Sequence, residues 1–415
     1  MKRQVKRGAI TRSTKSAAYN LLEGIPLYTV NMYGEDGKFT PAVSAVPLGL
    51  PACPQAPSKG YYSEGNGALF VYANGTVSRL NKGAASFVTM AQNLSENCFF
   101  TDMYLNGFSA AVLFDGADQY VFLGALQEDT TCAHSFYAGA WHCGRFFARD
   151  LNDGFRIWWA ASDSVDWTEG INGCGYTYLP AEGGEVLRLF SFRERLVAVR
   201  RRGITVIHAY GEPQHYKVDA TANYLVADGV IGETCAMCAG GIVFCTESGI
   251  YLFNGSSLER IFLFNGSRVS SPARAAACGE RYCFVCDDVH LGGGVLAVLD
   301  VPSGRLAVTD ITPGAVFAGE DGVYVSVGTA LCKIEDGGTG ELYLPSFLPE
   351  NSPRAYIKSI CVQCSGGCTV ALSSNGVQRT FSGSGRHRVG MGGHNFSFAV
   401  QAEGRLSRLT AQAEV

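Results

Sequence analysis

ALFVYANGTVSRL, residues 68–80, has the outline of a β-hairpin: an apolar strand, an Asn74-Gly75 pair, then a second strand. Asn-Gly supplies the positive φ values that a two-residue hairpin turn needs. The outline returns at Ala111 (AVLFDGADQYVFL), Phe155 (FRIWWAASDS), Arg195 (RLVAVRRRGITVI), Gly241 (GIVFCTESGIYLF), Arg281 (RYCFVCDD) and Gly322 (GVYVSVGTALCKI). Successive starts are 43, 44, 40, 46, 40 and 41 residues apart. That is the span of one four-stranded propeller blade. Asn254-Gly255 and Asn265-Gly266 repeat the turn chemistry, and Asp115-Gly116, Asp228-Gly229 and Asp321-Gly322 are read as further turns or blade ends. Ile242 and Phe244, then Ile250 and Leu252, alternate with the period of a strand. The expected fold is all-β, a β-propeller of six or seven blades.

Composition agrees. Among 415 residues there are 51 Gly, 24 Phe and 19 Tyr, with 47% hydrophobic and only 17% charged residues. Such a chain packs a core and is rich in strand formers. A net charge of −4 argues against whole-chain affinity for nucleic acid. The first sixteen residues are the exception, carrying Lys2, Arg3, Lys6, Arg7, Arg12 and Lys15 without an acid. No apolar stretch of signal-peptide type follows them, and no apolar run reaches the ~18 residues of a membrane helix, so no membrane insertion is expected. In a chain made without export, the 15 cysteines are read as reduced, mostly buried thiols.

The ends depart from the repeat. Residues 1–60 lack the period and are rich in proline, which reads as an extended N-terminal arm. The propeller is expected over residues 61–348, and Pro349, Ser352 and Pro353 read as a linker. Residues 349–415 hold five short strands with glycine turns, the pattern of a small C-terminal β-sandwich.

No catalytic, metal or cofactor set emerges. The pairs Cys235/Cys238 and Cys283/Cys286 and the run Cys361, Cys364, Cys368 have zinc half-site spacing. Cys283 and Cys286, three apart on an apolar strand, point to opposite faces, and zinc fits best at Cys361, Cys364 and Cys368, where Gly366-Gly367 could bend the chain; otherwise these cysteines are read as core. CAHSFYAGAWHC, with His134 and His142, is read as a loop packed with aromatic residues. Asp287-Asp288 and Glu320-Asp321 are read as turn acids, and the acidic turns lack the ligand order of a calcium loop. No nucleophile elbow or phosphate loop is present. Arg200, Arg201 and Arg202 are read as a hairpin tip, solvated by default and able to meet phosphates if it faced DNA.

A run beginning Arg156-Ile157-Trp158-Trp159-Ala160-Ala161-Ser162-Asp163, then Asp166-Trp167, Gly183-Gly184 and Leu187, resembles one found in bacteriophage tail proteins. The next blade, ERLVAVRRRGITVI, and the ending Gly383 to Arg388 followed by FSFAVQAEGRLSRLTAQAEV are similar to the same group, the nozzle-like and head–tail structural proteins of double-stranded DNA phages. The resemblance covers Phe155–Ile207 and Arg379–Val415. It implies a non-enzymatic virion component made in the bacterial host cytoplasm. Its copies would form a homo-oligomeric ring, a hexamer in the best-known members, around the DNA channel. Partners would be other tail, portal or adaptor proteins, with transient DNA contact. The rival expectation is a glycan-binding or glycan-cleaving receptor protein in which Trp141, Trp158, Trp159 and Trp167 stack on sugars.

Overall fold

The computed structural model describes residues 16–22, 28–105, 108–124, 126–170, 173–265, 267–347 and 354–414. The expected linker at residues 349–353 lies outside them. The chain divides into two compact units, one of residues 45–335 and one of residues 1–44 with 336–415.

The larger unit holds six antiparallel sheets among the described residues. The quoted hairpin is in the first of them, with Ala73 opposite Thr76 and Asn74 and Gly75 at φ +47° and +77°. Inner strands of these sheets, such as Ala68–Ala73, Arg145–Asp150 and Gly241–Cys245, are buried on both faces. In Ala68–Ala73 even residues pack against the second sheet, while Leu69 and Val71 pack against Phe317 of the sixth.

The second sheet has six strands and contains two of the repeat segments, those beginning at Ala111 and Phe155. It folds on itself. Met103, Val112 and Phe114 from its early strands pack against Phe146, Ala148 and Trp158 from its late ones, with the Phe114 and Phe146 rings 5.3 Å apart. Ala111 and Leu113 face the first sheet, and Ile157 and Trp159 face the third. One hydrogen-bonded sheet therefore supplies two packed layers, and each repeat segment has a layer of its own. The expected turn at Asp115-Gly116 is a bulge inside the long strand Phe108–Leu123, with Gly116 at φ +63°.

Packing continues from third to fourth sheet through Val199, Ile204 and Phe244, and from fourth to fifth through Val243, Ile250 and Phe284. Fifth and sixth are joined where Arg281 Nη1 donates to Ile334 O at 3.1 Å. Leading strands are neighbours: Lys59–Ser63 lies beside Phe99–Leu105 and Val316–Ala318, and Ala275–Cys278 beside Val316–Ala318 and Ala236–Cys238.

The smaller unit is a β-sandwich. In one sheet Met32–Glu35, Lys38–Pro41, Leu406–Glu414, Ala355–Cys364 and Gly385–Gly393 follow in order, with Ser16–Asn20 also paired to Leu406–Glu414. The other runs Tyr28–Val30, Gly340–Phe347, Phe396–Ala402, Cys368–Ser374 and Val377–Ser382. Period-two alternation drives their inner faces together: Phe396, Phe398, Val400 and Ala402 meet Ile357, Ile360, Leu409 and Ala411.

Two expectations are corrected. Within the expected extended arm, residues 16–20 and 28–41 are built into sheets, because unpaired strand edges and buried apolar residues such as Met32 and Phe39 demand partners. They supply sandwich strands, and Val43–Pro47 then becomes the fourth strand of the sixth propeller sheet. Gly340–Phe347, expected in the propeller, pairs with Tyr28–Val30 and Phe396–Ala402.

Buried Asn31 ties the sandwich together at φ +52°. Its Nδ2 donates to Val43 O at 2.6 Å and Thr339 O at 3.0 Å, and its Oδ1 accepts from Val43 N at 3.0 Å. Asn31→Ala would strand these groups and place Ala in a left-handed conformation, costing about 3 kcal/mol. Denaturant unfolding should show that loss as a lower midpoint.

Candidate functional site

Of the basic residues singled out, Lys2, Arg3, Lys6, Arg7, Arg12 and Lys15 lie outside the described residues. Arg200 is not a solvated tip: it is 1% exposed. Its Nε donates to Gly184 O at 2.9 Å, its Nη1 to Thr205 Oγ1 at 3.2 Å, and its Nη2 to Pro180 O. A Cβ on Gly183 would fall 2.5 Å from Nη1, so the Gly183-Gly184 turn exists in part to admit this guanidinium. Arg201 and Arg202 are exposed, and Arg201 Nη2 lies 3.6 Å from Glu185 Oε2.

The acid pairs are committed to local partners, Asp287 and Asp288 at the end of the strand Arg281–Asp288 rather than in a turn. Asp287 accepts from Ser270 Oγ at 2.6 Å and Gly294 N at 3.1 Å, and the Ser270 bond leads in holding its carboxyl below the usual range. Asp288 accepts from His290 N at 2.8 Å. Glu320 pairs with Lys82 and Asp321 with Lys333, at 2.7 and 2.6 Å. CAHSFYAGAWHC is not a loop but part of the strand Leu126–His142, where His134 stacks on Trp158 and His142 Nδ1 meets Ser191 Oγ at 2.8 Å. Cys283 and Cys286 are buried, and burial pushes both thiols up to about 12. Among the described residues no three His, Cys, Asp or Glu side chains converge as a metal set.

The sugar platform is corrected as well. Trp158, Trp159 and Trp167 are buried, their indoles donating to Asp150 Oδ2, Gly173 O and Gln119 Oε1. Exposed aromatics nearby are Tyr176 and Tyr178, but the Arg156 guanidinium already lies 5.2 and 5.1 Å from their ring centres.

What the fold does assemble is a charged cluster drawn from four places in the propeller. Lys59 begins the leading strand of the first sheet and donates from Nζ to Glu96 O and, at 3.2 Å, to Cys98 O. Tyr137 and Arg149 come from the second sheet, Arg188 from the third, and Glu233 from the short 3-10 turn Gly232–Thr234. Tyr137 donates its hydroxyl to Glu233 Oε1 at 3.1 Å, and Arg188 Nη2 approaches the same oxygen at 3.6 Å. Arg149 and Arg188 lie over the Tyr137 ring, 4.6 and 5.8 Å from its centre. Arg149 Nη2 is 3.5 Å from Glu185 Oε2, the oxygen that Arg201 also approaches. Burial holds the Lys59 ammonium below its ordinary value, Arg188 adds to that effect, and Cys98 and Glu233 oppose it.

Sequence reasoning missed this cluster because no two of its main members share a local motif. The one available signal was Arg188, a charge within the strand VLRLFSF.

The two kinds of arginine make a direct contrast. Arg200→Met should cost about 3 kcal/mol, since it takes the side-chain donor from the Gly184 and Pro180 carbonyls. Arg201→Ala and Arg202→Ala should stay within about 0.5 kcal/mol of the parent. Chemical denaturation of the three variants checks both.

No protein-family model and no curated protein matches the chain. Solved structures do. A chain of the Mitotic Checkpoint Complex crystal structure is 11% identical, with TM-score 0.46 over 71% of this chain and 93% of that one. BBS1N, solved in complex with ARL6DN, is 8% identical, with TM-score 0.48 over 75% and 98%. YCF48 from Cyanidioschyzon merolae is 10% identical, with TM-score 0.45 over 71% and 98%. These neighbours are β-propeller proteins, and the chain is an all-β protein containing a β-propeller.

Proposed function

We propose that the chain is a structural, non-enzymatic subunit of a double-stranded DNA phage tail or head–tail assembly, acting as one of several copies in a ring. The support is the resemblance of Phe155–Ile207 and Arg379–Val415 to tail proteins, together with one observation about the sandwich. Ser16–Asn20 is an edge strand paired to Leu406–Glu414, and the six basic residues directly precede it in sequence. A strand edge with a run of positive charge attached suits docking onto an acidic neighbour. A receptor-binding role for sugars is the weaker reading, because three of its four tryptophans, Trp158, Trp159 and Trp167, are buried, Trp141 is partly buried against the same core, and Tyr176 and Tyr178 are already covered by Arg156.

Negative-stain imaging with solution mass of the purified chain tests the proposal. Rings or tubes of uniform copy number support it. A monomer at all concentrations that binds glycans in a screen overturns it. Replacing Lys2, Arg3, Lys6, Arg7, Arg12 and Lys15 by Gln should abolish the rings and leave the melting temperature of the subunit unchanged. Rings that persist after this change would remove the basic segment from the mechanism.

A further inference from the structure

A cavity of about 320 Å³ opens on the sandwich, lined by Lys38, Gln363, Cys364, Ser365, Arg405 and Ser407. Strand pairing builds it. Phe39 is paired with Leu406, which sets Lys38 beside the segment holding Arg405 and Ser407. Between Gln363 and Cys364 the register against Leu406–Glu414 shifts, so the pleat breaks at the cavity wall. Hydrogen bonds then fix that wall. Ser365 N donates to Arg405 O at 3.0 Å, Arg405 N to Ser365 Oγ at 2.8 Å, and Ser407 Oγ to Gln363 O at 3.2 Å. The facing turns are also in close contact, since a Cβ on Gly404 would fall 2.5 Å from Gly366 N.

The lining has one chemical character. An ammonium, a guanidinium, an amide and two hydroxyls share the space, and no carboxylate lines it. Three acids lie close in register or sequence. Glu35 is opposite Lys38, Asp36 is in the same hairpin turn, and Glu403 precedes Arg405 by two residues, its carboxylate against Gly367. Among the described residues none of them is within ion-pair distance of Lys38 or Arg405, and neither cation donates a side-chain hydrogen bond. Ser365 Oγ accepts from Arg405 N and so keeps its hydrogen for a ligand. Donors of this kind select an oxyanion. A phosphoryl group offers three strong acceptor oxygens and up to two charges, which matches donors arriving from two strands and a turn better than a planar carboxylate does.

We propose that this cavity binds the phosphoryl group of a small phosphorylated ligand. Lys38 and Arg405 supply the charge, and Gln363 and Ser365 supply neutral donors. At its volume the cavity is of small-ligand size. The site lies wholly in the smaller unit and does not depend on ring formation, so it stands or falls separately from the assembly role.

The test uses the full chain, with inorganic phosphate and phenyl phosphate titrated calorimetrically against chloride at constant ionic strength. Both should bind saturably. Cys364 gives a second, local readout, because its half-buried thiol lines the same space. Its alkylation by iodoacetamide, followed at that residue by mass spectrometry, should slow as phenyl phosphate saturates. Lys38→Gln and Arg405→Gln, made separately, should each weaken binding about tenfold through loss of one charge-assisted contact. Both side chains are exposed, so the melting temperature in chloride should stay that of the parent. Absence of saturable binding of either phosphate probe overturns the proposal. So does parent affinity in both variants, or Cys364 alkylation that phenyl phosphate leaves unchanged. Glutarate bound more tightly than phosphate overturns the phosphoryl assignment.

Discussion

The propeller depends on a close approach between its sixth and first sheets. The Phe317 ring lies against Gly60, where a Cβ would stand 2.3 Å from a ring carbon. Around this contact Leu69, Val71, Leu80, Ala315, Tyr324 and Leu331 close into one apolar cluster. It covers the last pair of faces, as neighbouring layers cover the others. An open ring would leave both exposed, together with the edges that invite aggregation. Glycine at 60 is thus a packing requirement and not a turn requirement, since its φ is not in the left-handed region.

Much of this order could be read from the chain because the repeat is local. A hairpin with Asn-Gly at its tip needs only a dozen residues to announce itself, and the intervals between hairpins carry the rest. The limits have physical causes. Asp115-Gly116 looks like a turn, yet one positive φ serves a bulge as readily as a hairpin, and tertiary pairing decides between them. Arg193-Glu194 makes a real turn at φ +48° and +61° with residues that seldom adopt it, so its sequence gave no warning. Residues 16–20 and 28–41 looked aperiodic because their short strands are shared between two sheets, and Ser16–Asn20 and Tyr28–Val30 pair with strands over three hundred residues away.

Charged residues were harder to read than apolar ones. A run of three arginines suggested a single surface, but Arg200 is the last residue of its strand and turns inward, while Arg201 and Arg202 form the turn and stay outside. Conversely, Lys59, Arg149, Arg188 and Glu233 look unremarkable apart and acquire meaning only where the sheets bring them together. A polar site built across layers leaves no spacing to detect, whereas a core built within hairpins repeats its spacing many times.

The pairing of Ser16–Asn20 with Leu406–Glu414 also sets a timetable. The ribosome makes the first strand early, then the whole of Ala45–Glu335, and only afterwards the partner strand. At ordinary elongation rates the interval is on the order of half a minute. Throughout it the early strands wait without their sheet, while the propeller segment has time to collapse. The sandwich therefore forms only after the propeller segment has been made, and any contact that needs its finished surface is withheld until then. Copies that meet on one polysome cannot engage through it until translation has passed their final strand.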